Sequence, residues 1–415
     1  MNYSFFIARR LSLSSGNRKN SPAIKVSITA VALSIAVMLA SISIVLGFKR
    51  EITDKVVGFN SHITLYAIPS SPDDNNLITI TPTLDEILSD QPYVTDFSLE
   101  ASIPAILKTE NDFKGIYLRS INAKSVKDFL KNNLVAGTLP DFSNGNNGDK
   151  IILSQIAANQ LLLETGDEID VYFIGEDVKV QRLKIAGIFN SHFDSYDRLM
   201  AYGSLPMIQN MAGVSGMQGT NIQLRTDNFE KIGEYSIQLD KTLRKAYDEG
   251  LLFKQYRVDN AIHQGEGYFN WLSLLDTNVW VILILMTVVS VATLISGMLI
   301  LILDKKRFIG VARAMGASIK GVRKVFVFLA LKVALYGMII GNVLMLVFLF
   351  CQDKWHFLPL NPDAYYIDFV PVELNWWYIL LLNLACFIII YLSLIIPSRF
   401  VSGISPSDAM RTAEQ

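Results

Sequence analysis

Residues 26–48 read VSITAVALSIAVMLASISIVLGF, twenty-three residues without a charge. At about 1.5 Å per residue a helix of that length crosses a hydrocarbon layer of roughly 30 Å. Trp280–Leu303, Val325–Phe350 and Trp376–Ile396 are similar apolar runs, charged only at Lys332, so the four runs measure 21 to 26 residues each. Mixed sequence fills the long interval between the first run and the second, while short loops separate the last three. The spacing predicts a membrane α-helical bundle of four transmembrane helices in 1+3 order, with a large extracytoplasmic mixed α/β domain.

Charge gives the orientation. Arg9, Arg10, Arg18, Lys19 and Lys25 precede the first run with no acid among them. Lys305, Lys306, Arg307, Arg313, Lys320, Arg323 and Lys324 lie between the second and third runs against the single acid Asp304. The loop after the third run carries Asp353, Asp363, Asp368 and Glu373 against Lys354, and the large domain has 21 basic and 31 acidic residues. Lysine and arginine mark the cytoplasmic ends of spans. Both termini are therefore expected inside, and the large domain and acidic loop outside. The first run is too long for a signal-peptide core and lacks a small-residue cleavage site. Cys351 and Cys386 form neither a disulfide framework nor a metal-binding spacing.

Met1–Leu13 reads as an interfacial helix, with Phe5, Phe6, Ile7 and Leu11 toward acyl chains and Arg9 and Arg10 toward phosphates. Phe48, Ile52, Val56 and Phe59 keep helical spacing beyond the first run, which predicts a stalk. Tyr268, Phe269, Leu272 and Leu275 predict a second stalk leading into the second run. In the outer domain, Ile151–Ser154, Glu168–Phe173 and Leu183–Ile188 read as strands between Gly-Asp or Gly-Glu turns. Gln155–Leu163 and Phe229–Glu249 read as helices, and Ile68–Asn76 and Asp141–Asp149 as surface loops. Ala32, Ala36 and Ala40, and likewise Gly337 and Gly341, put small residues at four-residue steps. We expect the alanine stripe to form a seam with a second permease subunit. Lys332, the one ionisable group well inside a span, is a functional candidate on that ground. It lies about two turns from the cytoplasmic end, however, where a lysine stem snorkels to the headgroups, and the anchor reading is favoured.

Catalytic signatures are missing. No phosphate-binding G-x-x-x-x-G-K-[S/T], no H-E-x-x-H and no G-x-S-x-G occurs, so no catalytic residue, metal site or cofactor is expected in this chain. His192, Asp194 and Asp197 have a ligand-like spacing but read as a solvated turn.

Asp304–Lys324 reads DKKRFIGVARAMGASIKGVRK. Ile309, Val311, Ala312 and Met315 set out a short amphipathic helix that Gly316 ends. This segment resembles the "IGxLRALGAS" coupling helix of type VII ABC permeases, through Ile309, Gly310, Arg313, Ala314, Met315, Gly316, Ala317, Ser318 and Arg323. Phe308 departs from the acid that many relatives carry. Phe6–Arg10, Gly47-Phe48 with Glu51, Gly58–Ile63, Ile152–Phe173, Pro397-x-Arg399 and Ile404–Arg411 resemble the family's other segments in order. Within the MacB/FtsX-like superfamily the chain most resembles the lipoprotein-releasing permeases of the LolC/LolE type. A MacB-like periplasmic domain in a bacterial inner-membrane protein is then implied.

The resemblance also implies a non-catalytic subunit working by mechanotransmission, in which a separate LolD-like ATPase binds the ATP. Its implied partners are that ATPase, a second permease subunit (identical or paralogous), a lipoprotein substrate, membrane lipid and a periplasmic lipoprotein carrier, with no nucleic acid. The short proline-free turn Ile174–Lys179 departs from the hook that binds such a carrier. Rival readings are a MacB-like exporter of peptides or amphiphiles and an FtsX-like regulator of a cell-wall hydrolase. The domain plan is a cytoplasmic helix 1–25, spans 26–48, 278–303, 325–350 and 376–396, a periplasmic domain 49–277, a coupling loop 304–324, a periplasmic loop 351–375 and a cytoplasmic tail 397–415. To test the topology, single cysteines are placed at Ser71, Asn146 or Ser318 in a background lacking Cys351 and Cys386. The first two are expected to react with an impermeant thiol reagent in spheroplasts and the third is not; labelling of Ser318 alone reverses the plan.

Overall fold

The computed structural model describes residues 22–70, 76–142, 147–174, 178–214 and 216–398. The predicted helix at Met1–Leu13, the tail motif Ile404–Arg411, positions Ser71 and Asn146 and the centre of the Ile174–Lys179 turn lie outside them. Six helices matter most: α1 (Pro22–Phe59), α2 (Ile232–Asp248), α3 (Glu266–Asp304), α4 (Lys306–Ala314), α5 (Ile319–Trp355) and α6 (Trp376–Ser393). Among the described residues, α1, α3, α5 and α6 supply the four helices long and apolar enough to cross a membrane. Two compact units divide the chain: a helical unit of residues 22–49, 272–359 and 369–398, and a mixed α/β unit of 50–271 together with 360–368.

In the helical unit, Ile35 and Leu39 of α1 meet Leu294 and Met298 of α3, Phe326 and Ala334 of α5, and Cys386 and Ile390 of α6 in one core. The outward faces carry Ile284, Val288, Leu344 and Leu380, all more than half exposed. Hydrocarbon solvates such a surface; water would penalise it. Close approach is set by glycine. A Cβ on Gly341 would stand 2.4 Å from the Ala32 carbonyl oxygen, and one on Gly337 would stand 2.7 Å from Val31 Cβ. The α1 and α5 backbones therefore touch, which is how small residues join helices in lipid. Ala32 is thus engaged inside the chain, whereas Ala36 and Ala40 are half-buried. The expected seam loses its first residue to the α5 contact.

Asn342 of α5 and Asn383 of α6 exchange amide hydrogen bonds at 2.7 and 3.0 Å. Each Nδ2 also donates to the carbonyl four residues back on its own helix, at 2.8 and 2.9 Å. Lys332 Nζ lies 5.8 Å from the Tyr336 ring centroid, a cation–π distance.

The α/β unit has two principal sheets. In the smaller, β1 (Ile63–Ile68) lies between β12 (Asn221–Thr226) and β13 (Gln255–Asn260), and β3 (Val94–Glu100) adds to β12, all antiparallel. Its apolar face (Ile63, Leu65, Ile222, Leu224) packs on Leu239 and Leu243 of α2. The larger sheet runs β6 (Leu134–Gly137), β9 (Val178–Phe189), β7 (Lys150–Ser154), β10 (Met200–Gly203), β5 (Phe113–Ser120), β4 (Ser102–Lys108), β8 (Glu168–Ile174). The twelve-residue β9 pairs with β8 through its first half and with β7 and β6 through its second, so the sheet closes on itself. Alternation explains the filling: Ile103, Ala105 and Leu107 of β4 and Ile116 and Leu118 of β5 point into a core shared with Phe173 and Ile185. A minor ladder pairs β2 (Ile78–Thr79) with β11 (Gln218–Gly219).

Local readings differ from the structure in instructive ways. The helix from Gln155 stops at Leu161, because Leu162 turns left-handed at φ +55° and its neighbour's amide closes on Ala158 O. Phe229–Lys231 is a 3₁₀ turn whose cap is Asn228, and α2 starts only at Ile232.

His62 joins α1 to this sheet. Thr226 N donates to His62 Nδ1 at 3.1 Å, so that nitrogen is an acceptor and the ring proton sits on Nε2. Burial, reinforced by the nearby Arg225, drives the imidazole from 6.5 down to about 4. The unfolded chain takes up this proton more readily than the native one. Its stabilising contribution is therefore complete above pH 6.5 and declines as pH falls toward 4. The unfolding midpoint is expected to drop through that window, and His62→Gln, which keeps an acceptor but does not titrate, to flatten the slope. An unchanged slope in the variant refutes the assignment.

Candidate functional site

Helix α4 is short, and both its ends are defined. Gly316 N donates to Arg313 O at 3.0 Å and Ala317 N to Ala312 O at 2.9 Å, a Schellman closure that needs the left-handed φ of +91° at Gly316. Ser318 Oγ then accepts from Gly321 N at 3.2 Å and caps α5. Of the predicted coupling residues, Ile309 and Gly310 are buried and anchor the helix to the bundle core. Arg313 and Ala317 are half-buried. The exposed face of the helix is Val311, Ala314, Met315 and Gly316, with Met315 82% exposed. A thioether displayed that openly suits an adaptable apolar contact.

The stalk residues divide between the units. In the helical unit Phe48 and Leu272 are buried, and Lys49 Nζ reaches Asp276 at 2.5 Å to tie α1 to α3. Both partners are well exposed, so this ion pair contributes little to stability. In the α/β unit Ile52, Val56 and Phe59 are fully buried, and Phe269 lies 6.1 Å from Phe229.

Phe59 belongs to an aromatic cluster that sequence reading did not anticipate. Its ring stacks on Tyr196 at 4.7 Å and meets Phe129 edge-on at 4.8 Å. Phe193 joins this group to Tyr268, at 4.5 Å, and to Tyr366, at 5.3 Å. Tyr366 comes from the Leu360–Asp368 segment and is held at φ +61°. One turn before Phe59, Lys55 Nζ donates to Ser191 O at 2.6 Å and to Tyr366 O at 2.7 Å. His192 Nε2 faces Asp368 at 3.1 Å. Four remote segments therefore converge on the last turns of α1. A left-handed backbone in a non-glycine residue is costly, and here two ring contacts and a lysine hold it.

The end of α1 is fixed by charge as well. Arg119 of β5 donates to Phe59 O at 2.9 Å and, through Nε and Nη2, to both oxygens of Glu100 at 2.9 and 2.7 Å. Asn221 and Gln223 of β12 donate to the same carboxylate. Burial works to lower the guanidinium, but the charge and hydrogen bonds of Glu100, joined by Tyr202 and Tyr66, together hold it above its ordinary range. The only signal in the sequence is a charge at a strand position whose neighbours alternate inward, which is seldom a solvated one. His192, Asp194 and Asp197 do not converge: Asp194 pairs with Arg198, and Asp197 accepts from Ser191 N and Oγ. Among the described residues no group of three metal-ligating side chains occurs.

A family model described as MacB-like periplasmic core domain matches residues 26–240, and one described as FtsX-like permease C-terminal matches residues 280–406. "Lipoprotein-releasing system transmembrane protein LolC" of Xylella fastidiosa is 21% identical over 404 residues, covering 93% of this chain and 92% of that protein. The LolE of the same description from Haemophilus influenzae is 22% identical and covers 99% of both chains. The LolC of Neisseria meningitidis serogroup B is 22% identical with 93% coverage of each. The crystal structure of the periplasmic region of MacB from Actinobacillus actinomycetemcomitans aligns with 52% of this chain and 96% of that one, at 15% identity and a TM-score of 0.34. The chain belongs to the MacB-like periplasmic core family, here joined to an FtsX-like permease domain, and it resembles the lipoprotein-releasing ABC transporter permeases of the LolC and LolE type.

Proposed function

We propose that this chain is a non-catalytic permease subunit of an ABC transporter that extracts lipoproteins from the inner membrane by mechanotransmission. The observation that carries the reading is near-complete coverage by relatives named for lipoprotein release. Helix α4 supports it physically, being anchored by Ile309 and Gly310 while Val311, Ala314 and Met315 stay free for an ATPase. ATP binds to that partner, not here. Both termini and α4 face the cytoplasm, and the α/β unit faces the periplasm, an orientation that the charge asymmetry supports. The membrane plan is one span followed by three.

Four spans enclose little space, so a second permease subunit completes the cavity. Ala36 and Ala40 contribute to that seam. ATP-driven closure of the ATPase pair displaces α4, and the long helices α1 and α3 carry the displacement. The aromatic cluster around Phe59, with Lys55 and Tyr366, receives it. An external energy source is needed because each buried methylene of an acyl chain holds the lipoprotein by about 0.8 kcal/mol. β8 and β9 pair through Ile174 and Val178, leaving three residues between them, so carrier docking through a long hook falls to the partner subunit.

Reconstitution tests the whole. The complex with its ATPase is expected to release an acylated lipoprotein from liposomes only with ATP, and depletion in cells to strand outer-membrane lipoproteins in the inner membrane. Normal sorting after depletion, with a defect in drug efflux or cell separation instead, sinks the reading. Coupling is tested separately. Met315→Glu adds an acid at an exposed position without touching the Gly316 turn. The variant is expected to insert and fold normally yet lose ATPase association and stimulated ATP hydrolysis; wild-type coupling returns α4 to a mere interfacial anchor.

A further inference from the structure

A cleft of about 910 Å³ lies within the α/β unit, between its two principal sheets. That volume is at the upper end of the roughly 300–1,000 Å³ range of ligand clefts. One wall is the polar face of the smaller sheet: Thr64 and Tyr66 of β1, and Asn221 and Gln223 of β12. The opposite wall is the outer surface of the closed sheet, with Tyr117 and Arg119 of β5, Ser102 of β4 and Met200 of β10. The end of the Leu205–Ala212 helix, from Met211 to Val214, forms a lip.

The chemistry of this cleft is specific. A sheet face that turns Thr64, Asn221 and Gln223 outward would ordinarily meet water, yet these residues are only 3%, 6% and 3% exposed. Its two central charges cancel, since both Glu100 oxygens are occupied by Arg119, Asn221 and Gln223. Lys179 at the rim already donates to Asn210 O. Nothing here selects an ion. Asn221 spends its Nδ2 on Glu100 and leaves Oδ1, buried, without a hydrogen-bond partner. A buried carbonyl oxygen in that condition calls for an N–H or O–H donor. Hydroxyl and carboxamide groups around it both donate and accept, as peptide groups do. Met200 and Met211 add thioethers that adapt to side chains of varied shape.

We propose that this cleft binds an extended, uncharged polypeptide segment. On the permease reading, on which this identification of the occupant rests, the segment is the stretch of lipoprotein that follows the acylated terminus. Its backbone N–H and C=O groups pair with the hydroxyl and carboxamide groups of the lining, and Tyr66 and Tyr117 flank its side chains. Gripping the chain outside the membrane fixes cargo independently of its acyl groups and tolerates many sequences.

The test uses the full complex with its ATPase and one purified lipoprotein in acylated and non-acylated forms. A photo-crosslinking benzoylphenylalanine at Tyr117 is expected to join the non-acylated form at the residues following its N-terminus. Ala212→Trp fills the exposed lip, and Asn221→Leu removes the free carbonyl; the first leaves the core untouched should the second fold poorly. Ala212→Trp is expected to raise the Kd for the non-acylated form at least tenfold with unchanged thermal unfolding and basal ATP hydrolysis. An unchanged Kd, or no crosslink to the lipoprotein, overturns the cleft assignment. Wild-type complex that releases no acylated cargo defeats the permease reading instead, and the two failures are read in separate assays.

Discussion

The ion pair of Arg119 with Glu100 is the constraint on which the α/β unit depends. Arg119 stands on the closed sheet, Glu100 on the smaller one, and the third guanidinium bond goes to the last carbonyl of α1. A charge pair this deeply buried recovers its desolvation cost only if every lone pair is answered, and here Asn221 and Gln223 complete the set. Removing one partner would leave the other uncompensated, typically at a cost of about 3–5 kcal/mol. Two sheets and a helix end thus share a single electrostatic knot. Glu100 and Arg119 also line the cleft between the two sheets.

Around the knot, the aromatic cluster supplies packing without fluidity. Phe59, the neighbours Phe193 and Tyr196, Tyr268 and Tyr366 come from four parts of the chain and meet as stacked, tilted and edge-on pairs, the arrangements that aromatic quadrupoles favour. Lys55 adds direction, since its ammonium accepts only placements that reach two carbonyls at once. Together they make the end of α1 a rigid fitting and not a hinge.

Much of this was legible in the residues. Uncharged runs such as Val26–Phe48 identify membrane helices because hydrocarbon admits little else. The i, i+4 spacing of Phe48, Ile52 and Val56 predicts that α1 continues, and Gly316 predicts where α4 stops. What stayed hidden depends on pairings remote in sequence. Nothing near Lys55 announces Tyr366, more than 300 positions later, and nothing near Glu100 announces Arg119 across a strand turn. The alanine stripe was legible as a packing face, but its partner was not: Gly341 claims Ala32 inside the chain, a choice that depends on how two distant helices approach. At Ile309 and Gly310 the motif was visible while the division between anchoring and display was not.

The Asn342–Asn383 exchange has a kinetic meaning beyond holding two helices together. In water, such amides would trade partners with solvent as helices slid, and sliding would be smooth. In hydrocarbon no substitute donor or acceptor is at hand, so shifting α5 along α6 requires both bonds to break before new ones form. Each carboxamide keeps a bond to its own helix as a fallback, which lowers the loss without removing it. Relative motion of these two helices is therefore stepped instead of continuous, and over small displacements they respond to a push as one beam.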